Sequence, residues 1–238
     1  MPKFISTRRP AAKKTKAASL SACGSLAPDR ITDILKALDE AYPHAECALT
    51  HRSPWELLVA TILSAQCTDV RVNLVTPELF RRFPTPHKMA RARLPQLEDL
   101  IRTTGFFRNK AKSIQGAARK IVADFNGQVP QTLAELVTIP GAARKTANVV
   151  LGVAYGKAEG IVVDTHVLCI TRRLGLAKSE TPEKIEQELM RIIPESRWID
   201  FSHQIIHHGR AVCMARKPEC DRCSLEQLCT SKEKSWRS

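Results

Sequence analysis

Several features are scarce in this 238-residue chain, and each scarcity excludes something. No apolar run approaches the ~18 residues that a membrane-spanning helix requires, so a helical bilayer span is excluded. No apolar stretch followed by a small-residue cleavage site opens the chain, so a secretory signal is not expected. β-Branched runs are nearly missing: Ile161-Val162-Val163 is the one short example, too little to build a sheet. No repeat with a period of about 20–50 residues is visible, which argues against a solenoid. Acidic residues are absent before Asp29.

What is present is ordinary for a globular chain, with 43% hydrophobic and 26% charged residues, but the charge is one-sided. Lysine and arginine number 37 against 24 aspartates and glutamates, a net charge of +13. Such an excess points to a polyanionic partner, most often nucleic acid. Six of these charges (Lys3, Arg8, Arg9, Lys13, Lys14, Lys16) sit in the first 28 residues. That stretch is rich in Lys, Ala and Ser, lacks helical periodicity and reads as a disordered basic tail. A DNA-binding arm, an organelle transit peptide and a plain solvated tail all share this composition. The remainder still carries +7, so the folded part is basic too.

From Asp29 onward the pattern is helical. Ile31, Ile34, Leu35 and Leu38 form an i, i+3, i+4, i+7 stripe, which Pro43 ends. Ser53-Pro54-Trp55-Glu56 reads as a capping box with proline at the first helical position. Pro77 is expected to interrupt or restart the helix that follows. Thr132-Leu133-Ala134-Glu135 is a second capping box, and helices are expected at about 144–155, 165–174, 182–192 and 198–212. The fold class is therefore all-α.

Two constellations carry chemistry. At Ile139-Pro140-Gly141 a helix ends in a tight turn, and a new helix begins near Arg144. Such a hairpin presents free backbone N–H groups at a helix N-terminus, which suit a phosphate. Lys145 lies in the first turn, where the helix end and the adjacent Arg144 both disfavour an ammonium. A neutral amine there is a nucleophile; otherwise Lys145 is a phosphate contact. The second constellation is Cys213, Cys220, Cys223 and Cys229, separated by six, two and five residues. Without a secretion signal, clustered thiols suggest metal binding rather than disulfides. Four thiolates hold either tetrahedral zinc or a [4Fe-4S] cluster, and zinc sites more often use two C-x2-C knuckles where this chain has one.

Five motifs, in order, resemble the endonuclease III family of helix-hairpin-helix DNA glycosylases. They are Ser64-Ala65-Gln66-Cys67-Thr68-Asp69, Gly105-Phe106-Phe107-Arg108-Asn109-Lys110-Ala111, the hairpin Ile139–Val150, Val163-Asp164-Thr165-His166, and the four cysteines. The resemblance runs from about residue 29 to 231. It implies two helical lobes: a six-helix barrel domain of residues 47–157 carrying the hairpin, and an iron–sulfur domain joining 29–46 to 158–238. It implies excision of oxidised pyrimidines from double-stranded DNA, followed by strand cleavage at the abasic site through a Schiff base and β-elimination. It makes Lys145 the nucleophile and Asp164 its carboxylate partner, although aspartate before Thr165 would also serve as a helix cap. His166 is expected to be a helix-face histidine with a hydrogen-bond partner.

The same resemblance gives Gln66 the space vacated by the flipped base and makes Phe106 a wedge between bases, whereas composition alone would read Gln66 as a cap and Phe106 as core. Gly141, Ala143 and Arg144 become phosphate contacts of the hairpin. The four cysteines become ligands of a structural [4Fe-4S] cluster that presents Arg216 and Lys217 to phosphate. A lysine at 145 separates the chain from the adenine-glycosylase branch, which acts without lyase chemistry. The alternatives are a mismatch-specific thymine or uracil glycosylase, and a DNA-binding relative with weak or lost catalysis. Ala143 motivates the latter, since relatives have glycine there and a positive φ would cost alanine about 1 kcal/mol. A monomer with no membrane partner is expected, in the cytoplasm if the source is prokaryotic.

Overall fold

A computed structural model describes residues 28–232 and 234. Of the expected basic tail of residues 1–28, positions 1–27, Cys23 among them, lie outside the described residues, and Pro28 already opens the first helix. The first helix, α1 (Pro28–Ala41), buries the stripe Ile31, Ile34, Leu35 and Leu38, as the spacing predicts. In α2 (Pro54–Leu63) every residue from Trp55 to Leu63 is buried, which makes it the central helix of its lobe. Its N-terminus departs from the expected capping box. The Ser53 hydroxyl accepts from the Glu56 N–H at 3.2 Å, but the Glu56 carboxylate accepts from the backbone of Arg52 at 2.9 Å, one residue further back.

The next helix, α3 (Asp69–Arg82), runs straight through Pro77 and corrects the expected break. An interior proline costs about 3 kcal/mol. Burial of Val72, Thr76, Leu79 and Phe80 on one face of the same helix offsets it. Then follow α4 (Pro86–Ala90), α5 (Leu94–Ile101), a 3-10 turn over Arg102–Thr104, α6 (Phe107–Asp124), α7 (Leu133–Leu136) and α8 (Arg144–Tyr155). Counting α2 to α8, residues 47–157 hold seven α-helical segments rather than six, two of them single turns of five and four residues. The remaining helices are α9 (Thr165–Arg173), α10 (Pro182–Met190) and α11 (Trp198–Ala211), with a 3-10 turn at Cys220–Arg222 in the last loop. No strand occurs among the described residues. Ile161 and Val163 are buried without pairing, and the Val162 N–H donates to the Ser202 hydroxyl on α11 at 3.1 Å in place of a ladder partner.

Buried apolar side chains fall into two cores. One collects residues from Leu49 to Leu151, built on α2 to α8. The other joins α1 to residues between Ile161 and Leu225. A polar tie crosses between them, where Arg210 of α11 meets Asp69 at the start of α3 at 2.5 Å, and on the same helix the His207 ring pairs with the Glu46 carbonyl at 3.0 Å.

His203 lies in this seam, where burial and the neighbouring His207 push its pKa below the usual histidine value, opposed by Asp200 and Glu46. The unfolded state therefore binds the extra proton as pH falls below about 6.5, and stability is lost from there down through the folded value. His203→Gln is expected to flatten this dependence. Urea midpoints at about pH 5.5 and 7.5 should differ less in the variant than in the parent.

Candidate active site

The cleft between the two cores consists of two adjoining cavities with about 790 and 1400 Å³ of space, part of it open to solvent. Lys145, Asp164, Thr61, Ser64, Asp69 and Arg210 line both. The structure thus brings the two principal candidates, 19 positions apart in sequence, to one cleft from two different helices.

Lys145 is exposed to the cleft in the first turn of α8. The turn before it is shaped by Gly141, whose φ is +82° and where a Cβ would approach the Ser113 Cβ to 2.9 Å. Only glycine satisfies both constraints. Ala143 differs: its φ is −67°, so alanine carries no left-handed strain and the cost anticipated from sequence does not arise. Ala143 caps α8 without a side-chain hydrogen bond, which leaves the first-turn N–H groups for another acceptor. Arg144 departs from its expected role. Its guanidinium turns to Glu186 of α10, with Nε at 2.8 Å and Nη2 at 3.0 Å from the carboxylate oxygens. Its charge is therefore compensated beside Lys145 by a carboxylate of the opposite lobe.

Asp164 does cap α9. Its Oδ1 accepts from the N–H groups of His166 and Val167, both at 2.8 Å. Oδ2 accepts no hydrogen bond among the described residues, so the cap leaves one carboxylate oxygen for chemistry. The His166 ring makes no hydrogen bond among the described residues, contrary to expectation. It packs on Gly209 of α11, where a Cβ would lie 2.6 Å from Nδ1, and it lines the larger cavity.

Gln66 and Phe106 are both exposed and both left-handed, with φ of +52° and +45°. Neither plays the bland role that composition suggests. Gln66 caps no helix and lines the larger cavity. Phe106 is 65% exposed at the start of α6, directly after Gly105 at φ +72°. Exposed non-glycine residues in this region are uncommon, and they cluster where a loop presents a side chain. Lys110 braces the Phe106 loop: it is buried, and its Nζ donates to the Thr104 carbonyl at 2.7 Å.

The ion pair between Asp69 and Arg210 was not foreseen. Asp69 lay inside a recognised motif without an assigned role, and no local signal links it to a partner 141 positions away.

The four cysteines border a single cavity of about 360 Å³, together with Arg173, Glu226 and Lys234. Among the described residues no three His, Cys, Asp or Glu converge as ligands of one metal ion. A single zinc needs each sulfur about 2.3 Å from one point. Four thiols spread around a wider cavity fit a polynuclear cluster instead. The loop is held by arginines from elsewhere. Arg173 donates to the Cys213 sulfur at 3.4 Å and to the carbonyls of Met214 and Ala215 at 2.9 and 2.7 Å. Arg30 of α1 reaches the carbonyls of Leu174 and Leu228. Arg216 and Lys217 stand exposed on the same loop and make no hydrogen bond among the described residues.

Comparison with known proteins places the fold in a family. The profile of HhH-GPD superfamily base excision DNA repair proteins matches residues 59–195, and that of the iron-sulfur binding domain of endonuclease III matches residues 213–229. The chain is 56% identical over 206 residues to endonuclease III of Synechocystis sp., covering 87% of this chain and 94% of that protein. A structure of a non-covalent endonuclease III–DNA complex superimposes with a TM-score of 0.85 at 41% identity, covering 90% of this chain and all of the other. A trapped endonuclease III–DNA covalent intermediate gives 0.82 at 42% identity, with 87% and 97% covered. Profile, sequence and fold therefore converge, and the chain belongs to the endonuclease III family within the HhH-GPD superfamily of base excision DNA repair proteins.

Proposed function

We infer that the protein is a bifunctional DNA glycosylase and abasic-site lyase of base excision repair, removing oxidised pyrimidines from duplex DNA. The observation that carries this reading is the cleft shared by the exposed Lys145 amine and the Asp164 carboxylate. The family supplies the rest. Solved relatives include a DNA complex and a trapped covalent intermediate, and a Schiff-base enzyme is the kind that can be trapped on DNA.

The chemistry follows from the two groups. Departure of the base builds positive charge on the sugar, and a carboxylate at that point stabilises it. The Lys145 amine forms a bond to C1′ as the glycosidic bond breaks, and the free oxygen of Asp164 takes a proton from it. The sugar ring then opens, the C1′–O4′ bond breaking as O4′ takes a proton, and the resulting Schiff base acidifies the C2′ proton. Its loss expels the 3′ phosphate by β-elimination.

Reaching the base requires extruding it, at a cost of a few kcal/mol. Gln66 fills the vacated space and Phe106 wedges into the stack, since both project from turns held in a left-handed conformation. The N–H groups of Gly141 and Ala143 and the exposed Arg216 and Lys217 hold phosphates, while the Ala142 N–H is spent on the Ile139 carbonyl. Cys213, Cys220, Cys223 and Cys229 would hold the [4Fe-4S] cluster, which pins the loop carrying those two bases when bound. The lobes are residues 47–157 and residues 29–46 with 158–238, a division supported by the two separate cores. No helix among the described residues is long and apolar enough to cross a membrane. We infer that the enzyme acts on double-stranded DNA as a monomer, in the cytoplasm if its source is prokaryotic.

The test presents purified enzyme with duplexes that each carry one lesion. An oxidised pyrimidine is expected to be excised with strand cleavage on its 3′ side. Excision confined to a thymine or uracil mispaired with guanine would overturn the substrate assignment in favour of a mismatch glycosylase.

A further inference from the structure

The mechanism above leaves one buried acid unexplained. Glu186, on α10 in the lobe of Asp164, is nearly enclosed, with its side chain 7% exposed. Its carboxylate accepts three hydrogen bonds: two from Arg144, at 2.8 and 3.0 Å, and one from the Asn148 amide at 2.9 Å. Both donors belong to α8 of the other lobe, and they bracket Lys145 by one residue before and three after. The connection from α8 to Asp164 passes the same point. A Cβ on Gly160 would lie 2.0 Å from Glu186 Oε1 and 2.6 Å from Asn148 Nδ2, so only a glycine backbone fits against the pair. Asn148 is itself buried at 4% exposure, and its bond to a carboxylate settles which end of its amide faces α10.

We propose that Glu186 is a positioning residue for the reaction: it clamps the lysine-bearing first turn of α8 and the segment leading to Asp164 to one fixed point, and so sets where the amine stands relative to the carboxylate. The inference rests on Lys145 being the nucleophile. Three features support it over generic lobe packing. The contacts are charge-assisted and directional, and therefore define orientation as well as proximity. They flank the reactive residue rather than lying elsewhere on the interface. The clamp also compensates the Arg144 charge next in sequence to the lysine. Misplacing a reacting group by about 1 Å can cost about 100-fold in rate while leaving binding nearly intact.

The experiment uses the full-length, cluster-loaded protein as parent, Glu186→Gln, Glu186→Ala and Arg144→Gln. Each is measured for the single-turnover rate of borohydride trapping on an abasic-site duplex, the Kd for a duplex with a non-reacting abasic analogue, and the thermal midpoint. Glu186→Gln keeps an acceptor for Asn148 and loses only the charged clamp. It is expected to trap about tenfold more slowly with Kd changed less than about threefold, and Glu186→Ala about 100-fold more slowly. Arg144→Gln leaves α10 and Asn148 intact, is expected to fold, and should slow trapping about as much as Glu186→Gln. Trapping within twofold of the parent in both glutamine variants overturns the proposal. So does a Kd that weakens in parallel with the rate in Arg144→Gln, which would make Arg144 a DNA contact. A parent that forms no adduct would instead sink the nucleophile assignment on which the inference rests.

Discussion

Lys145→Gln is expected to abolish the borohydride-trapped adduct between the protein and abasic-site DNA, lowering the trapping rate by at least ~1000-fold. The reason is chemical identity. A Schiff base needs a primary amine, and glutamine supplies an amide of similar length that cannot form one. Lys145 is exposed and packs into no core, so the variant should fold and unfold like the parent. It should also bind duplex DNA with only a modest loss, because one cation among many phosphate contacts changes the salt slope by about one. Binding, thermal stability and trapping measured on one preparation separate these outcomes. A variant that still traps DNA would move the nucleophile to another amine. A variant that neither folds nor binds would mean that Lys145 holds structure, contrary to its exposure.

The second large effect belongs to Asp164, and here two roles must be separated. Its Oδ1 caps α9 through the N–H groups of His166 and Val167. Asparagine is as good a cap as aspartate, whereas alanine at such a position costs about 0.5–2 kcal/mol. Asp164→Asn should therefore leave the urea midpoint almost unchanged while base excision falls about 100- to 1000-fold, as expected when one group stabilising transition-state charge is removed. Asp164→Ala should show the same kinetic loss together with the lost cap energy. Equal excision rates for the asparagine variant and the parent would leave Asp164 as a cap and nothing more. The free Oδ2 in the cleft is the reason to expect otherwise.

The hairpin shows how much of the site was legible beforehand. Pro140-Gly141 marks a turn in the sequence, although most such turns only join helices, and the φ of +82° at Gly141 agrees with a turn. Ala143 could not be judged in the same way. Whether alanine is strained depends on a dihedral angle, and the observed −67° removes the objection. Pro77 misled for a related reason. Its local preference is against a helix interior, but burial of Val72, Thr76, Leu79 and Phe80 on one face of the same helix overrides it, and that burial exists only once the lobe has packed.

The sequence by itself determined the helical class, through periodicity, and the cluster of four thiols, through short spacing, whereas the pairing of Lys145 with Asp164 is implied by the motifs' resemblance to a known family. Tertiary structure decided which of the charged residues pair with each other. Arg144 is basic and lies at a helix N-terminus, so it reads as a phosphate contact, until folding brings Glu186 within 2.8 Å of it from 42 positions away. Asp69 and Arg210 meet across 141 positions in the same way. A side chain's local pattern specifies its charge and its helix face. The partner that neutralises that charge is set only when the two lobes close, because a Coulomb interaction depends on distance in space and not along the chain.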